Sequence, residues 1–183
     1  MSCCRLETER LLLRPPEPRD VPAIVEFIGD WDVAKNLSTC PHPYREEHAV
    51  EFLAKAADGR AMGSNFNFAI VRRSDEQYMG QIGLHLKNGK FEVGYWLGKP
   101  FWKFGFASEA ARRVAQFAFN SLKAETIWAG WYHDNPASGH VLAKLGCRPN
   151  GQEPRHCLAR GHEVMCNLVI LERADYFQGR IAA

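Results

Sequence analysis

The spacing of apolar residues predicts a short strand followed by two helices in the first third of the chain. Residues 11–13 are three consecutive leucines closed by two prolines, which is typical of a short strand. Asp20 is expected to cap a helix that reaches about Ile28. A second helix is predicted from about Arg45 to Ala57. Its expected apolar face consists of residues at helical spacing, namely Val50, Leu53, Ala54 and Ala57.

The middle of the chain has the two-residue period of β-structure. Phe66, Phe68 and Ile70 alternate with other residues, which predicts a half-buried strand. Residues 78–86 and 91–97 form two further predicted strands. The dipeptide at 88–89, Asn-Gly, predicts a tight hairpin between them, because both central positions of that turn require a positive φ.

The last part of the chain alternates between helical and strand patterns. Helices are predicted from Phe106 or Ala107 to about Ser121 and over 136–145, the second ended by Gly146. Strands are predicted over 126–132 and about 163–171. The resulting order, β-α-α-β-β-β-α-β-α-β, predicts an α/β protein in which helices cover both faces of one mixed sheet.

Composition narrows the class of protein. The 183 residues contain 46% hydrophobic and 24% charged residues, and the formal net charge is +2. This balance argues against a dedicated nucleic-acid-binding protein. Without a linker-like or repeated segment, we expect a single domain over 1–183. The absence of a secretory leader, of a long apolar run and of paired cysteine motifs predicts a cytoplasmic protein with reduced thiols and no membrane segment.

The loop before the helix at 106 is the first candidate site. The strand ends at Leu97, the loop turns at Gly105, and the helix then begins. The first N–H groups of a helix have no partner within it, and the helix dipole places partial positive charge there. Such an end binds phosphate well when small residues let the ligand approach. An ordinary loop in which Gly105 serves only its own dihedral angles is an equally good interpretation of these residues alone.

Four segments in order resemble the GNAT acetyltransferase superfamily over about residues 7–172. They most resemble the branch of ribosomal-protein N-terminal acetyltransferases (RimJ/RimL type). The motif Q/R-x-x-G-x-G/A has its small residues at Gly105 and Ala107, and residues 92–97 read E-V-G-Y-W-L. Residues 135–146 match N-P-x-S followed by L-x-K-L-G, and residues 9–15 resemble the branch's first strand.

This resemblance implies a GNAT fold with six to seven mostly antiparallel strands flanked by about four helices. It also implies acetyl-CoA as the acetyl donor, a primary amine as the acceptor and no metal. The cofactor-binding residues that it implies are Tyr95, Trp96, Leu97, Lys103, Phe104, Gly105, Phe106, Ala107, Ser108, Asn135 and Ser138. The chain departs from the family where Arg or Gln is usual (Trp102), where Gly is common (Lys103) and where many members have a catalytic tyrosine (Leu142).

The chemistry requires a neutral amine, a stabilised oxyanion and a thiolate leaving group. Glu92 is the candidate general base, because most lysine-like amines are protonated at neutral pH. It shares a strand face with Gly94 and Trp96, which we expect to be the cofactor side; a structural or solvent-exposed role is the alternative. By resemblance, Ser138 is the candidate acid for the departing thiolate, and a backbone N–H within 93–97 is the oxyanion donor. Asn135 is expected to cap its helix and to contact pantetheine.

The acceptor pocket of this fold is typically formed by the first two helices and the loop before the last strand. The candidate acceptor-binding residues are Trp31, Tyr44, Asn67, His133 and Arg155. Arg155 and Arg160 either bind an acidic group of the acceptor or are solvated charges of that loop. A non-catalytic CoA-binding module and a binder of another nucleotide stay open as alternatives, as do a monomer and a homodimer.

Overall fold

The computed structural model describes residues 5–181, with side chains described through residue 178, and contains one mixed sheet with helices on both faces. The strands are β1 (Leu6–Glu7), β2 (Leu11–Arg14), β3 (Asn65–Arg72), β4 (Tyr78–Lys87), β5 (Lys90–Leu97), β6 (Thr126–Tyr132), β7 (Arg148–Cys157) and β8 (His162–Glu172). The α-helices are α1 (Val21–Gly29), α2 (Trp31–Ala34), α3 (Glu46–Ala61), α4 (Phe106–Asn120), α5 (Pro136–Leu145) and α6 (Arg173–Ile181).

The strand order in the sheet is β1-β2-β3-β4-β5-β6-β8-β7. Neighbouring strands are antiparallel except for β5 and β6, which are parallel. These two strands pair only at Phe91 with Ile127 and at Glu92 with Trp128. Beyond Glu92 they diverge, so the sheet opens into a gap between the second half of β5 and β6.

The predicted mixed α/β fold is confirmed, with somewhat more elements than expected. Within residues 5–181 the sheet has eight strands and the structure has six α-helices. The sequence patterns missed β1, β7, α2 and α6. β7 lies at the edge of the sheet and is almost entirely exposed, so it has no buried face to impose an alternating pattern. Its Pro149 and Pro154 are tolerated because an edge strand has one unpaired side.

Both faces of the central strands are buried. On one face, side chains of β2 to β6 pack against α4 and α5, with Phe68, Ile82 and Val114 in that core. On the other face, Ala69 and Val71 pack against α1 and α3. The expectation that β3 is half-buried is therefore wrong, because helices cover both sides of it.

Two local predictions for the first helices are also wrong. Asp20 does not bond to the helix N–H groups of α1; its carboxylate instead accepts hydrogen bonds from Arg14 at 2.7 and 2.8 Å and from the N–H of Glu17 at 2.8 Å. A buried arginine competes more strongly for a carboxylate than a helix end does. The buried face of α3 is formed by Ala49, Ala56 and Gly59, and Val50 is 53% exposed. Of the predicted face, only Leu53 packs against this core.

The hairpin and the later helices follow the sequence prediction. Asn88 and Gly89 have φ values of 51° and 75°, and Lys87 pairs with Lys90. α5 ends at Gly146, whose φ is 96°. Of the six cysteines, Cys3 and Cys4 lie outside the described residues, and the other four are free thiols. Within 5–181, no helix is long and apolar enough to cross a bilayer.

Candidate active site

The loop before α4 exposes unpaired backbone N–H groups. Lys103 and Gly105 have φ values of 69° and 82°, so the chain makes two left-handed steps immediately before the helix. Along α4, Glu109 is the first residue whose backbone N–H has a backbone acceptor; it donates to the Gly105 carbonyl at 3.1 Å. In the described part of the chain, the N–H groups of residues 106–108 have no backbone partner. They lie at the positive end of a 15-residue helix, which favours an anion.

Space for a phosphate exists at this position. A Cβ added at Gly105 would have only one neighbouring atom within 4 Å, Nη2 of Arg10 at 3.6 Å. Phe104 is 61% exposed beside it, and Lys103 is also exposed. Trp102, at a position where the family usually has Arg or Gln, donates its indole N–H to the Leu97 carbonyl at 2.8 Å. Trp102 therefore fixes the loop to the end of β5 and leaves the helix start free.

The gap beside β5 exposes backbone groups along the strand. The backbone N–H of Gly98 donates to the Met79 carbonyl of β4 at 2.8 Å, so Gly98 points its backbone groups toward β4. The N–H and C=O groups of successive strand residues point to alternate sides of the strand. The backbone groups of Val93, Tyr95 and Leu97 therefore point away from β4, toward the gap where β6 diverges. They form an edge along which an extended ligand can pair.

Tyr95 crosses the gap to α5. Its hydroxyl lies 2.9 Å from the Ser138 hydroxyl oxygen and 2.9 Å from the Ser138 carbonyl oxygen. Burial raises the pKa of Tyr95 well above its ordinary value, although the hydrogen bond with Ser138 acts in the opposite direction. Asn135 caps α5 as predicted, since its side chain accepts from the Ser138 N–H at 3.4 Å. The family motifs indicate Tyr95 and Ser138 as separate site residues, but they do not reveal the contact between them, because the two lie 43 positions apart in the chain.

Glu92 lies on the opposite face of β5 from Tyr95. It shares that face with Gly94 and Trp96, as strand alternation requires, and Trp96 packs against the core between the sheet and α1 and α3. The face predicted for the cofactor is therefore the one turned away from Ser138. Among the described residues, no atom lies within 4 Å of a Cβ added at Gly94, which is exposed; we call this open space over the middle of β5 the cleft.

Glu92 forms an ion pair with Arg155 at the edge of this cleft. Their side chains are 24% and 22% exposed, and Arg155 also donates to Glu153 at 2.7 Å. Burial alone would lower the pKa of Arg155, but the hydrogen bonds to the two carboxylates raise it above its ordinary value. Arg155 lies within β7, so the expectation that it belongs to the loop before the last strand is wrong. That loop is the turn between Cys157 and His162.

Hydrogen bonds form a bridge between the segment after α2 and the turn after β7. Leu158 donates its N–H to the Ser38 carbonyl at 3.1 Å, and Arg160 donates to the Lys35 carbonyl at 2.7 Å. Arg160 also binds Asp134 at 2.6 and 3.1 Å, next to the cap of α5. Arg160 is therefore a paired residue that fastens this bridge, with a side chain 12% exposed.

The other predicted acceptor residues occupy different environments. Trp31 is 44% exposed and packs edge-on against His42 with ring centroids 5.2 Å apart. Tyr44 is buried in the core with α1 and α3 and does not line the cleft surface. Asn67 is buried over Gly83, and His133 is exposed at the end of β6 with Nδ1 3.4 Å from the Met165 carbonyl.

The remaining cofactor candidates differ in what they can offer. Leu97, Phe106 and Ser108 are buried, so only their backbone groups are available. Leu142 is 1% exposed within the core, so it fills space where many family members have a tyrosine. No group of three or more His, Cys, Asp or Glu side chains among the described residues is arranged to hold a metal ion.

The unpaired helix start, the gap beside β5 and the cleft on its other face define an acetyltransferase architecture. The family model described as "Acetyltransferase (GNAT) domain" matches residues 10–148, and the chain belongs to this family. Acetyl-CoA is therefore its acetyl donor, and an amine nitrogen is the atom acetylated.

Named relatives agree with this assignment. The chain is 30% identical over 149 residues to "Uncharacterized N-acetyltransferase YoaA" of Bacillus subtilis (strain 168), covering 80% of this chain and 84% of the relative. It is 23% identical over 188 residues to the [ribosomal protein uS5]-alanine N-acetyltransferase of Escherichia coli (strain K12), covering 96% and 94%. The fold matches Mycobacterium smegmatis RimJ in complex with CoA-disulfide with a TM-score of 0.81 and 18% identity, covering 98% of this chain and 93% of that one.

Proposed function

We propose that the protein acetylates a primary amine, on a protein N-terminus or on a small molecule, that enters the cleft over Gly94. The observation that carries this proposal is the open position above Gly94 between Glu92 and Trp96, on the face of β5 away from Ser138.

The donor occupies the other side of the strand in this proposal. Its phosphates bind at the N–H groups of residues 106–108, which have no backbone partner within the described chain. The pantetheine arm pairs with the free edge of β5, and Asn135 contacts it from the start of α5. A backbone N–H of 93–97 that points into the gap donates to the carbonyl oxygen as negative charge develops on it.

The acetyl transfer is direct. The amine nitrogen bonds to the carbonyl carbon, the carbon–sulfur bond breaks, and the thiolate takes a proton from the Ser138 hydroxyl. Ser138 regains its proton from solvent, and Tyr95, whose hydroxyl oxygen lies 2.9 Å from that of Ser138, holds the serine in position by a hydrogen bond. This pair replaces the tyrosine that many family members have at the position of Leu142.

Glu92 takes the proton lost by the acceptor amine. Its ion pair with Arg155 holds the carboxylate at the cleft edge in one orientation. Arg155 is thus a positioning residue for the base. His85 lies directly opposite Glu92 in the β4–β5 register.

The test is a transfer assay over matched amines. Acetyl-CoA is incubated with the protein and one of three acceptors: a peptide with a free N-terminus, the same peptide blocked there but containing lysine, or a polyamine. CoA formation and product mass are measured by liquid chromatography and mass spectrometry. Acetylation of any of these amines supports the proposal and ranks the acceptors; failure to bind acetyl-CoA would reject it.

A non-catalytic CoA-binding module is the second candidate, and the buried Leu142 favours it, because that position cannot supply a proton. CoA binding without turnover on any amine would select it. We further propose one domain over 1–183, a cytoplasmic location, no nucleic-acid partner, and a monomer or homodimer.

A further inference from the structure

Three hydrogen bonds and an ion-pair contact converge on the carboxylate of Glu109, in the first turn of α4. Thr8 donates its hydroxyl to Oε1 at 2.6 Å, and the backbone N–H of Arg10 donates to the same oxygen at 3.0 Å. The Arg10 guanidinium reaches Oε2 through Nε at 2.7 Å and through Nη2 at 2.6 Å. The turn between β1 and β2 is therefore fastened to the start of α4, where the proposed phosphate site lies.

The same guanidinium contacts the loop that forms the site. Nη1 of Arg10 donates to the Phe104 carbonyl at 3.1 Å, and the guanidinium lies 4.7 Å from the centre of the Phe106 ring. Nη2 is 3.6 Å from the position of a Cβ at Gly105. Arg10 thus contacts or approaches three consecutive residues, and its side chain is 45% exposed beside them.

Glu109 creates an electrostatic problem for an anion site. Burial alone would raise the pKa of the Glu109 carboxyl, but the hydrogen bonds from Thr8 and Arg10 outweigh burial, and the pKa lies below its ordinary value. The carboxylate is therefore ionised at neutral pH, one helical turn from N–H groups that would bind phosphate. A negative charge at this distance repels phosphate unless a cation compensates it.

We infer that Arg10 is a positioning residue for the phosphate end of CoA, which it serves by neutralising Glu109 and by fixing residues 104–106. The inference rests on the proposed placement of the CoA phosphates at the start of α4. It explains how the start of α4 can bind an anion although Glu109 lies in its first turn. It also assigns a role to Arg10, which lies 99 positions before Glu109 in the chain and outside every local motif around Gly105.

The experiment is a double-mutant cycle measured with two ligands. CoA is titrated by calorimetry into the wild type, Arg10→Gln, Glu109→Gln and the double variant. Pantetheine, which lacks the phosphates, is measured on the same four proteins as a competitive inhibitor. Arg10→Gln is expected to weaken CoA binding about tenfold, equivalent to about 1.4 kcal/mol. The double variant is expected to regain part of the lost affinity, because the charge of Glu109 is gone while the contact of Arg10 with the Phe104 carbonyl stays lost. Pantetheine is expected to bind all four proteins alike.

The outcomes separate this inference from the proposed function. CoA binding by Arg10→Gln at wild-type affinity would overturn the inference, and so would a double variant as weak as Arg10→Gln. An equal loss of pantetheine affinity in Arg10→Gln would also overturn it, because it would show general damage to the fold. A wild-type protein that does not bind CoA would instead reject the cofactor placement itself.

Discussion

The hydroxyl oxygen of Tyr95 lies 2.9 Å from the hydroxyl oxygen of Ser138, across the gap where β5 and β6 diverge. This contact joins the strand that carries the proposed oxyanion donor to the helix that carries the proposed acid. Because burial raises the pKa of Tyr95, its hydroxyl stays protonated at neutral pH and keeps its hydrogen bonds to Ser138.

Tyr95→Phe is expected to lower kcat about 10- to 100-fold, because Ser138 loses the hydrogen bond that holds its hydroxyl in position. The KM for acetyl-CoA should change less than threefold. Steady-state kinetics provide both values. Tyr132→Phe is the matched control, because it also removes a buried tyrosine hydroxyl that makes two hydrogen bonds. Tyr132 donates to the Ser38 hydroxyl at 3.2 Å and to the His156 carbonyl at 3.1 Å and does not contact Ser138. Wild-type kcat in Tyr95→Phe would remove the tyrosine from the mechanism.

Glu92→Gln is expected to lower kcat/KM most at low pH, where the acceptor amine is protonated and most needs a base. The loss should shrink as the pH approaches the amine's own pKa, about 8 for an α-amine or about 10.4 for a lysine amine. Rate profiles from pH 6 to 10 measure this. Glu153→Gln removes the other partner of Arg155 and should leave the profile's shape unchanged. Parallel profiles for Glu92→Gln and the wild type would exclude Glu92 as the base.

Gly94→Val is expected to fold normally and to raise the acceptor KM at least tenfold, because the added side chain enters open space in the proposed acceptor cleft. The KM for acetyl-CoA should change little, since the proposed donor site lies on the other face of β5. Gly29→Ala, at another glycine with no atom within 4 Å of an added Cβ, is the control and should leave both KM values unchanged. An unaltered acceptor KM in Gly94→Val would place the acceptor elsewhere.

Lys103→Gly is expected to increase the free energy of unfolding by about 0.5–1 kcal/mol, because glycine adopts the positive φ of 69° without strain. Lys123→Gly, at a φ of 56°, should give a similar gain. Only Lys103→Gly should raise the KM for acetyl-CoA, by about two- to fivefold, through loss of a cation near the phosphates. Chemical denaturation and kinetics on both variants test this pair. If Lys103→Gly and Lys123→Gly had the same KM for acetyl-CoA, the charge of Lys103 would not contribute to acetyl-CoA binding.

The Asp134–Arg160 pair should stabilise the fold at neutral pH and lose this effect in acid. The hydrogen bond from Arg160 lowers the pKa of Asp134 from its ordinary value of 3.8. A carboxyl group with a lowered folded pKa stabilises the protein above its unfolded pKa and stops doing so as the pH falls through the folded one. Since Asp134 is 43% exposed, we expect at most about 1 kcal/mol. Asp134→Asn should therefore be less stable than the wild type at pH 7 and equally stable near pH 2; a difference that persists in acid would contradict this.

The sequence predicted those elements that local interactions specify. The Asn88-Gly89 hairpin follows from the positive φ values of both residues, and the boundaries of α5 follow from the Asn135 cap and from Gly146. The start of α4 after Gly105 was likewise visible, because glycine is the residue that most readily adopts its φ of 82°. The family motifs lie in these same locally determined segments.

Contacts between distant segments were decided only by the tertiary structure. The Glu92–Arg155 pair joins residues 63 positions apart, and the Arg10–Glu109 contact joins residues 99 apart. Asp20 had the right residue type for a helix cap, yet Arg14 captured its carboxylate once burial brought the two together. Sequence periodicity and turn propensity act over a few residues, so they determined most of the strands and helices of this protein. Which charged side chains meet depends on how the sheet and helices pack, and this packing alone decided what lies on each side of β5, where we propose the donor site and the acceptor cleft.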